Sequence, residues 1–261
     1  MSPGRPGLPR PSGRPDAGRR RHRAGDESEE TVMRVLVVGA TGRSGRAAVR
    51  ALADGGHEVT AFARRASSVP DVRAVDGDAT APADVDRAVR GQDAVVVTLG
   101  ISESALRVRL RGSSGTPGDV RSRGTAEVLR AMREQGVRRL VVQSSYGVGP
   151  SRDRLPLSSR LVFAALLRPQ IDDHERQEEL VRAAGLDWTV VQPVYLTDGT
   201  EEAACSPAGD VQGWRVSRAA LGGVLAGAVA DPGLAGTTLA VSGAARAARG
   251  SRPPAGIRST G

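Results

Sequence analysis

The chain has 261 residues, 39 % of them hydrophobic, which is enough to build a full core and excludes wholesale disorder. A single cysteine, Cys205, excludes an internal disulfide framework and fits a reducing compartment, so a cytoplasmic location is expected. The net charge of +8 sits mostly at the ends: residues 1–30 carry seven Arg against five acids, and residues 244–261 carry four Arg and no acid. The body from Thr31 to Gly243 keeps only +2, and with few aromatics and no basic recognition helix a nucleic-acid partner is not expected. All 37 basic side chains are Arg, and the chain has neither Lys nor Asn. Schiff-base chemistry and lysine-assisted hydride transfer are therefore excluded.

In chain order, residues 1–30 are rich in Pro, Gly and Arg, hold no apolar run and are expected to be a disordered tail. Met33 stands directly before the first strand and reads as the true start. Arg34–Val38 is a short apolar run ending in glycine, as a buried parallel strand should be. A helix follows over Arg43–Asp54 and stops at Gly55-Gly56, then strands at Glu58–Ala63 and Val72–Val75. Thr80 is expected to cap a helix running to Arg90, with Pro82 in its first turn. Asp93–Thr98 is the fourth strand, Asp119–Gln135 a long helix and Arg139–Gln143 the fifth strand. A helix over Ile171–Ala184 leads into a strand at Trp188–Gln192. Ser217 caps a helix to Ala230, and Thr237–Val241 closes the pattern before a second disordered tail, 244–261.

Strands separated by single helices mean βαβ units with right-handed crossovers. The predicted fold is α/β: one doubly wound parallel sheet, a Rossmann fold with helices on both faces, spanning 31–243. No run of about 18 apolar residues is present, so no membrane span is expected. The insertions Ser102–Gly118 and Gly147–Arg168, and the segment Thr197–Trp214, fall after the fourth, fifth and sixth strands. That is the carboxyl edge, where open α/β sheets bind ligands.

Gly39-Ala-Thr-Gly-Arg-Ser-Gly45 lies between the first strand and the first helix. Glycines there let the backbone turn tightly and approach a pyrophosphate, which the helix N-terminus stabilises. The second strand ends in Ala63-Arg64-Arg65 with no acid at its tip. Guanidinium groups at that position match a ribose 2′-phosphate, so NADP(H) is expected over NAD(H). Asp78, after the third strand, is placed to accept from an adenine amino group, and Gly100 lets a ribose approach the fourth strand's end.

Ser144-Ser145-Tyr146 ends the fifth strand, where a nicotinamide would reach. The usual dehydrogenase Tyr with Lys four positions on is absent: Pro150 follows Tyr146 at that spacing, and Gly199 follows Tyr195. His174, one of three histidines, opens the helix before the sixth strand and suits proton transfer at neutral pH. No His, Cys or Asp cluster has metal-ligand spacing, and no nucleophile elbow surrounds Ser144 or Ser145.

From about Met33 to Val241 the chain resembles the atypical short-chain dehydrogenases, the NAD(P)H-binding group around biliverdin reductase B, also called flavin reductase. The resemblance rests on the Gly39–Gly45 loop, Asp76-Gly-Asp-Ala79, Gly91–Gly100, Asp173-His-Glu and Leu186–Pro193. It implies cofactor contacts from Gly39, Thr41, Gly42, Ser44, Arg64, Asp78, Ala79, Leu99 and Gly100, with Ser145 and His174 near the nicotinamide in catalytic roles; Gly45, Ser144 and Pro193 are expected to contact the cofactor as well. A second family arginine lines up with Ser68, so Arg65 would have to replace it. The implied activity is hydride transfer from NADPH to a flavin, quinone or tetrapyrrole, by a monomer or weak homodimer acting on a small molecule. Two alternatives stand beside it: a redox sensor that binds NADP(H) without chemistry, as in nitrogen-metabolite-repressor-like proteins, and a sugar-nucleotide epimerase or dehydratase.

Overall fold

A computed structural model describes Met1 and residues 31–100, 118–155 and 168–244. The expected tails apart from Met1 and Ala244, and residues 101–117 and 156–167 of the two expected insertions, lie outside the described residues. The elements are β1 (Arg34–Val38), α1 (Arg43–Asp54), β2 (Glu58–Ala63), β3 (Arg73–Asp76), α2 (Pro82–Val89) and β4 (Ala94–Val97). They continue as α3 (Val120–Gln135), β5 (Arg139–Gln143), α4 (Arg168–Arg182), β6 (Asp187–Pro193) and β7 (Tyr195–Thr197). Last come β8 (Ala203–Ser206), β9 (Arg215–Ser217), α5 (Arg218–Ala230) and β10 (Thr237–Gly243).

Eight strands form one sheet in the order β3-β2-β1-β4-β5-β6-β10-β8. Both faces of its strands are covered, because alternate residues enter different cores. Val35 and Val37 of β1 pack with Leu52 of α1 and Leu221 and Leu225 of α5. Leu36 and Val38 point the other way, towards Val85 of α2, Val128 and Met132 of α3 and Val181 of α4. A strand buried on both sides reads as an unbroken apolar run, which is why β1 was legible as a central parallel strand.

The expected Rossmann fold is present, with two refinements at its far edge. β8 joins β10 antiparallel, so the sheet is mostly, not wholly, parallel. β7 and β9 form a separate two-stranded sheet, with Tyr195 opposite Arg215. The segment Thr197–Trp214, for which no element was expected, thus contains a strand of its own. Its residues Ala203-Ala-Cys-Ser206 lack the β-branched run that signals a strand, and pairing with β10 overrides that weak local preference.

Two helix ends also differ. The Thr80 cap is a correction: α2 starts after Ala81 with no side-chain cap, and the Thr80 hydroxyl donates to Asp78 Oδ1 at 2.8 Å. α4 begins at Arg168, earlier than Ile171. The Ser217 cap on α5 is as expected, its hydroxyl accepting from the Ala220 amide at 3.1 Å.

The strand order reverses between β1 and β4, whose neighbours on the other side are β2 and β5. This switch point opens a crevice at the carboxyl ends of the strands.

Candidate functional site

That crevice holds a cavity of about 820 Å³. Its lining runs from Ala63 and Arg64 at the end of β2, past the β1–α1 turn, to Ser144, Ser145, His174 and Pro193.

The β1–α1 turn is built for a backbone approach. Gly39 has φ +85°, and a Cβ on it would stand 2.9 Å from the Thr98 carbonyl oxygen. Its amide donates to the Phe62 carbonyl at 2.9 Å, tying β1 to the end of β2. Gly42 caps α1 without a side chain, so the first-turn amides of a twelve-residue helix lack a side-chain acceptor beside the cavity. Gly45 plays a different part. It does not line the cavity, and a Cβ there would lie 2.2 Å from the Gly39 oxygen, so its small size lets the helix close onto the turn.

Most sequence-predicted contacts converge on this one space. Gly39, Thr41, Gly42, Ser44, Arg64, Asp78, Ala79, Leu99, Gly100, Ser144 and Pro193 all line it. Arg65 does not; it caps a short 3-10 turn, and its carbonyl accepts from the Ser68 hydroxyl at 2.8 Å. Both arginines lie in the turn after β2, and of the two only Arg64 is on the cavity lining. Asp78 is exposed at the rim, where its Oδ1 already accepts from the Thr80 amide and hydroxyl, both at 2.8 Å.

At the other end, Ser144 rather than Ser145 meets His174. Ser144 Oγ stands 3.5 Å from His174 Nδ1, whereas Ser145 Oγ donates back to the Tyr146 carbonyl at 3.3 Å. His174 is held far from its ordinary behaviour: burial first, and the Arg121 charge second, push it down to about 3, with Gln177 pulling weakly the other way. It is a neutral imidazole at physiological pH, which corrects the expectation of a proton donor that titrates near neutrality. Tyr146 is removed from the chemistry too. Its hydroxyl donates to the Gly209 carbonyl at 3.1 Å, its ring packs edge-on to Trp214, and burial pushes its pKa up.

Sequence reasoning missed Arg121. It is only 7 % exposed, yet it lines the cavity at the first turn of α3. Its partner is Asp173, whose Oδ2 lies 3.6 Å from Nη1. That carboxylate is already occupied by the Arg121 amide, the Ser122 amide and the Ser122 hydroxyl. Asp173 therefore caps α3 from the neighbouring helix α4. Arg121 Nε and Nη1 are buried and donate to no acceptor among the described residues. Gln143 Oε1, also on the cavity lining, is buried and accepts from no donor among them.

Among the described residues lining the cavity, Arg43, Arg64, Arg121 and Arg218 face a single acid, Asp78. Arg43 and Arg218 share Asp198 at 3.0 and 2.6 Å, which gathers the starts of α1 and α5 beside the phosphate turn. Counting Asp198 and Asp173, which pair with three of these four arginines, the cavity keeps a net excess of one positive charge among the described residues. Tyr195, 70 % exposed, adds a flat aromatic face, with the Arg215 guanidinium 5.8 Å from its ring centre.

A family model described as NAD(P)H-binding matches residues 39–232. A sterol demethylase protein B from Methylococcus capsulatus is 36 % identical over 176 residues, covering 63 % of this chain and 52 % of that protein. A 3-diazoavenalumate denitrifying reductase from a Streptomyces species is 40 % identical over 114 residues, 43 % of this chain and 38 % of that protein. The chain spans about half or less of the length of these two relatives. Among solved structures, an anaerobillin reductase from Escherichia coli O157:H7 superposes with a TM-score of 0.64 at 21 % identity, covering 80 % of this chain and 97 % of that one.

Proposed function

The chain belongs to the NAD(P)H-binding family, and from that premise we propose that it is an NADPH-dependent reductase of a small conjugated acceptor. The observation that carries this reading is the continuity of the cavity, from a glycine turn that accepts a backbone-hugging pyrophosphate to a Ser–His pair beyond it. The residues present fit the cofactor. The uncapped first turn of α1 would hold the pyrophosphate, and Arg64 would hold a 2′-phosphate through paired donors. Arg43 and Arg218 add positive charge on the same side of the cavity. Leu99 and Gly100 would flank the ribose.

When bound, the cofactor supplies the hydride, and the protein contributes position and field. Ser144 and neutral His174 would orient the acceptor by hydrogen bonds. With its pKa near 3, His174 carries no spare proton at neutral pH. An acceptor that takes its proton from water, such as a flavin, suits the site better than one needing an enzymic acid. The names of two similar proteins, a denitrifying reductase and an anaerobillin reductase, support the reductase class.

The neutral histidine also favours a second reading, an NADP(H)-binding sensor without turnover. Binding of NADPH and NADH, followed by NADPH oxidation with flavin, quinone and tetrapyrrole acceptors, separates the two. Tight NADPH binding with oxidation by one acceptor class is expected. Binding without oxidation across all three would favour the sensor. NADH bound as tightly as NADPH would overturn the cofactor assignment.

A further inference from the structure

A buried guanidinium normally has its donors fully engaged, because an unpaired buried charge is costly. Arg121 breaks that pattern at one place in the molecule where a ligand can enter. Its Nε and Nη1 find no hydrogen-bond acceptor among the described residues, and Asp173, its ionic neighbour at 3.6 Å, accepts hydrogen bonds from the start of α3 instead. Its Nη2 lies 3.6 Å from where a Cβ on Gly100 would stand, an ordinary contact distance that places the guanidinium against the segment following β4. It sits with His174 and Ser144 at the β5–β6 end of the cavity, whereas Arg64 guards the β2 end. The charge available to a cofactor's 2′-phosphate and the charge available to a second ligand are thus separate.

We propose that Arg121 anchors an oxyanion of the acceptor, a carboxylate or a phosphate, so that the substrate class is an anionic conjugated molecule. This rests on the reductase reading for the occupant's role. Arg121 shares the cavity lining with the uncharged groups of His174, Ser144, Gln143 and Gly100. Asp173 beside it keeps its negative charge while accepting from α3, so it offsets part of the guanidinium's charge but leaves Nε and Nη1 without a hydrogen-bond acceptor among the described residues. A guanidinium in a water-poor pocket binds an oxyanion by charge-assisted hydrogen bonds far more strongly than it binds an ester or hydroxyl.

The test pairs each anionic probe with its neutral counterpart. Binding of biliverdin against its dimethyl ester, and of FMN against riboflavin, is measured on the full chain with NADP⁺ present. NADPH oxidation is then followed with the same four compounds. At least one acid form should bind ten-fold or more tightly than its neutral partner, and Arg121→Gln should remove most of that difference. A preference in the first pair marks a carboxylate, and one in the second marks a phosphate. Because Arg121 neighbours a buried carboxylate, Arg121→Lys serves as the charge-retaining control and should keep part of the preference.

Equal binding of acid and neutral forms by the unaltered protein overturns the proposal, with no variant needed. It is also overturned if Arg121→Gln keeps the full preference, or if that variant weakens NADPH by the same factor. Acid-selective binding without NADPH oxidation keeps the anion site and removes the reductase reading. Oxidation at equal rates with acid and neutral forms does the reverse.

Discussion

His174 should make the fold acid-sensitive in a way that one substitution removes. Its folded pKa is pushed down to about 3 from an ordinary 6.5, chiefly by burial and then by Arg121. Between these values the unfolded chain binds a proton that the folded chain refuses, so stability falls as pH falls through that window and is complete above it. At roughly pH 5 the chain has crossed about 1.5 units of the window, which at about 1.36 kcal/mol per unit costs about 2 kcal/mol relative to pH 7.5. Urea unfolding of the unaltered protein and of His174→Gln, at both pH values, gives this term as a difference of differences. Other groups titrating there cancel, since both proteins carry them. The unaltered protein should lose about 2 kcal/mol more than the variant, a large fraction of a typical domain's stability. Parallel losses, or a His174 proton resonance titrating near 6.5, would refute a neutral buried imidazole and restore an acid catalyst.

Arg64→Ala should weaken NADPH about 10- to 100-fold by loss of a charge-assisted bond of roughly 1.5–3 kcal/mol, while NADH changes less than about three-fold. Fluorescence titration of both cofactors checks the asymmetry, and equal losses would place Arg64 away from the 2′-phosphate. Gly222→Ala should lower the melting temperature, because its Cβ would meet the Ala47 carbonyl oxygen at 2.5 Å where α5 crosses α1. Overpacking of that kind costs about 1–3 kcal/mol. The neighbouring Gly223→Ala meets nothing within 4 Å and should instead gain up to about 1 kcal/mol of helix propensity. Asp173→Ala strips the cap from α3 and leaves Arg121 as a lone buried charge, for a loss of about 3–5 kcal/mol in denaturant unfolding.

The fold was legible because its signals were strong and local. Unbroken apolar strands such as β1, a glycine stop after α1 and the Ser217 cap each follow from a few adjacent residues. β8 was not, since its sequence has no strand signature and its existence depends on a partner about 35 residues away, with Cys205 opposite Val241. The glycine-turn half of the cavity was legible for the same reason as β1: its residues are contiguous in sequence. The far half depends on which of two adjacent serines meets His174, and on a helix start that lies 52 residues before the aspartate it contacts. Arg121 looked like one more arginine in an arginine-rich stretch. Only its burial, beside a carboxylate already engaged by α3, sets it apart.

The absence of lysine bears on the proton question more than on charge. A buried lysine can shed its proton and relieve a neighbouring imidazole, whereas a guanidinium stays charged in a protein however deeply it is placed. With every cation an arginine, the charge beside His174 is permanent, and burial and that charge act in the same direction. Burial comes first in keeping that histidine neutral and the permanent Arg121 charge adds to it, so it does not replace the missing Tyr–Lys pair as an acid. Under the proposed function, Ser144 and His174 would orient the acceptor, and the Arg121 donors that lack an acceptor among the described residues would hold its anion. Both suit a reaction whose difficult step belongs to the cofactor and whose proton comes from water.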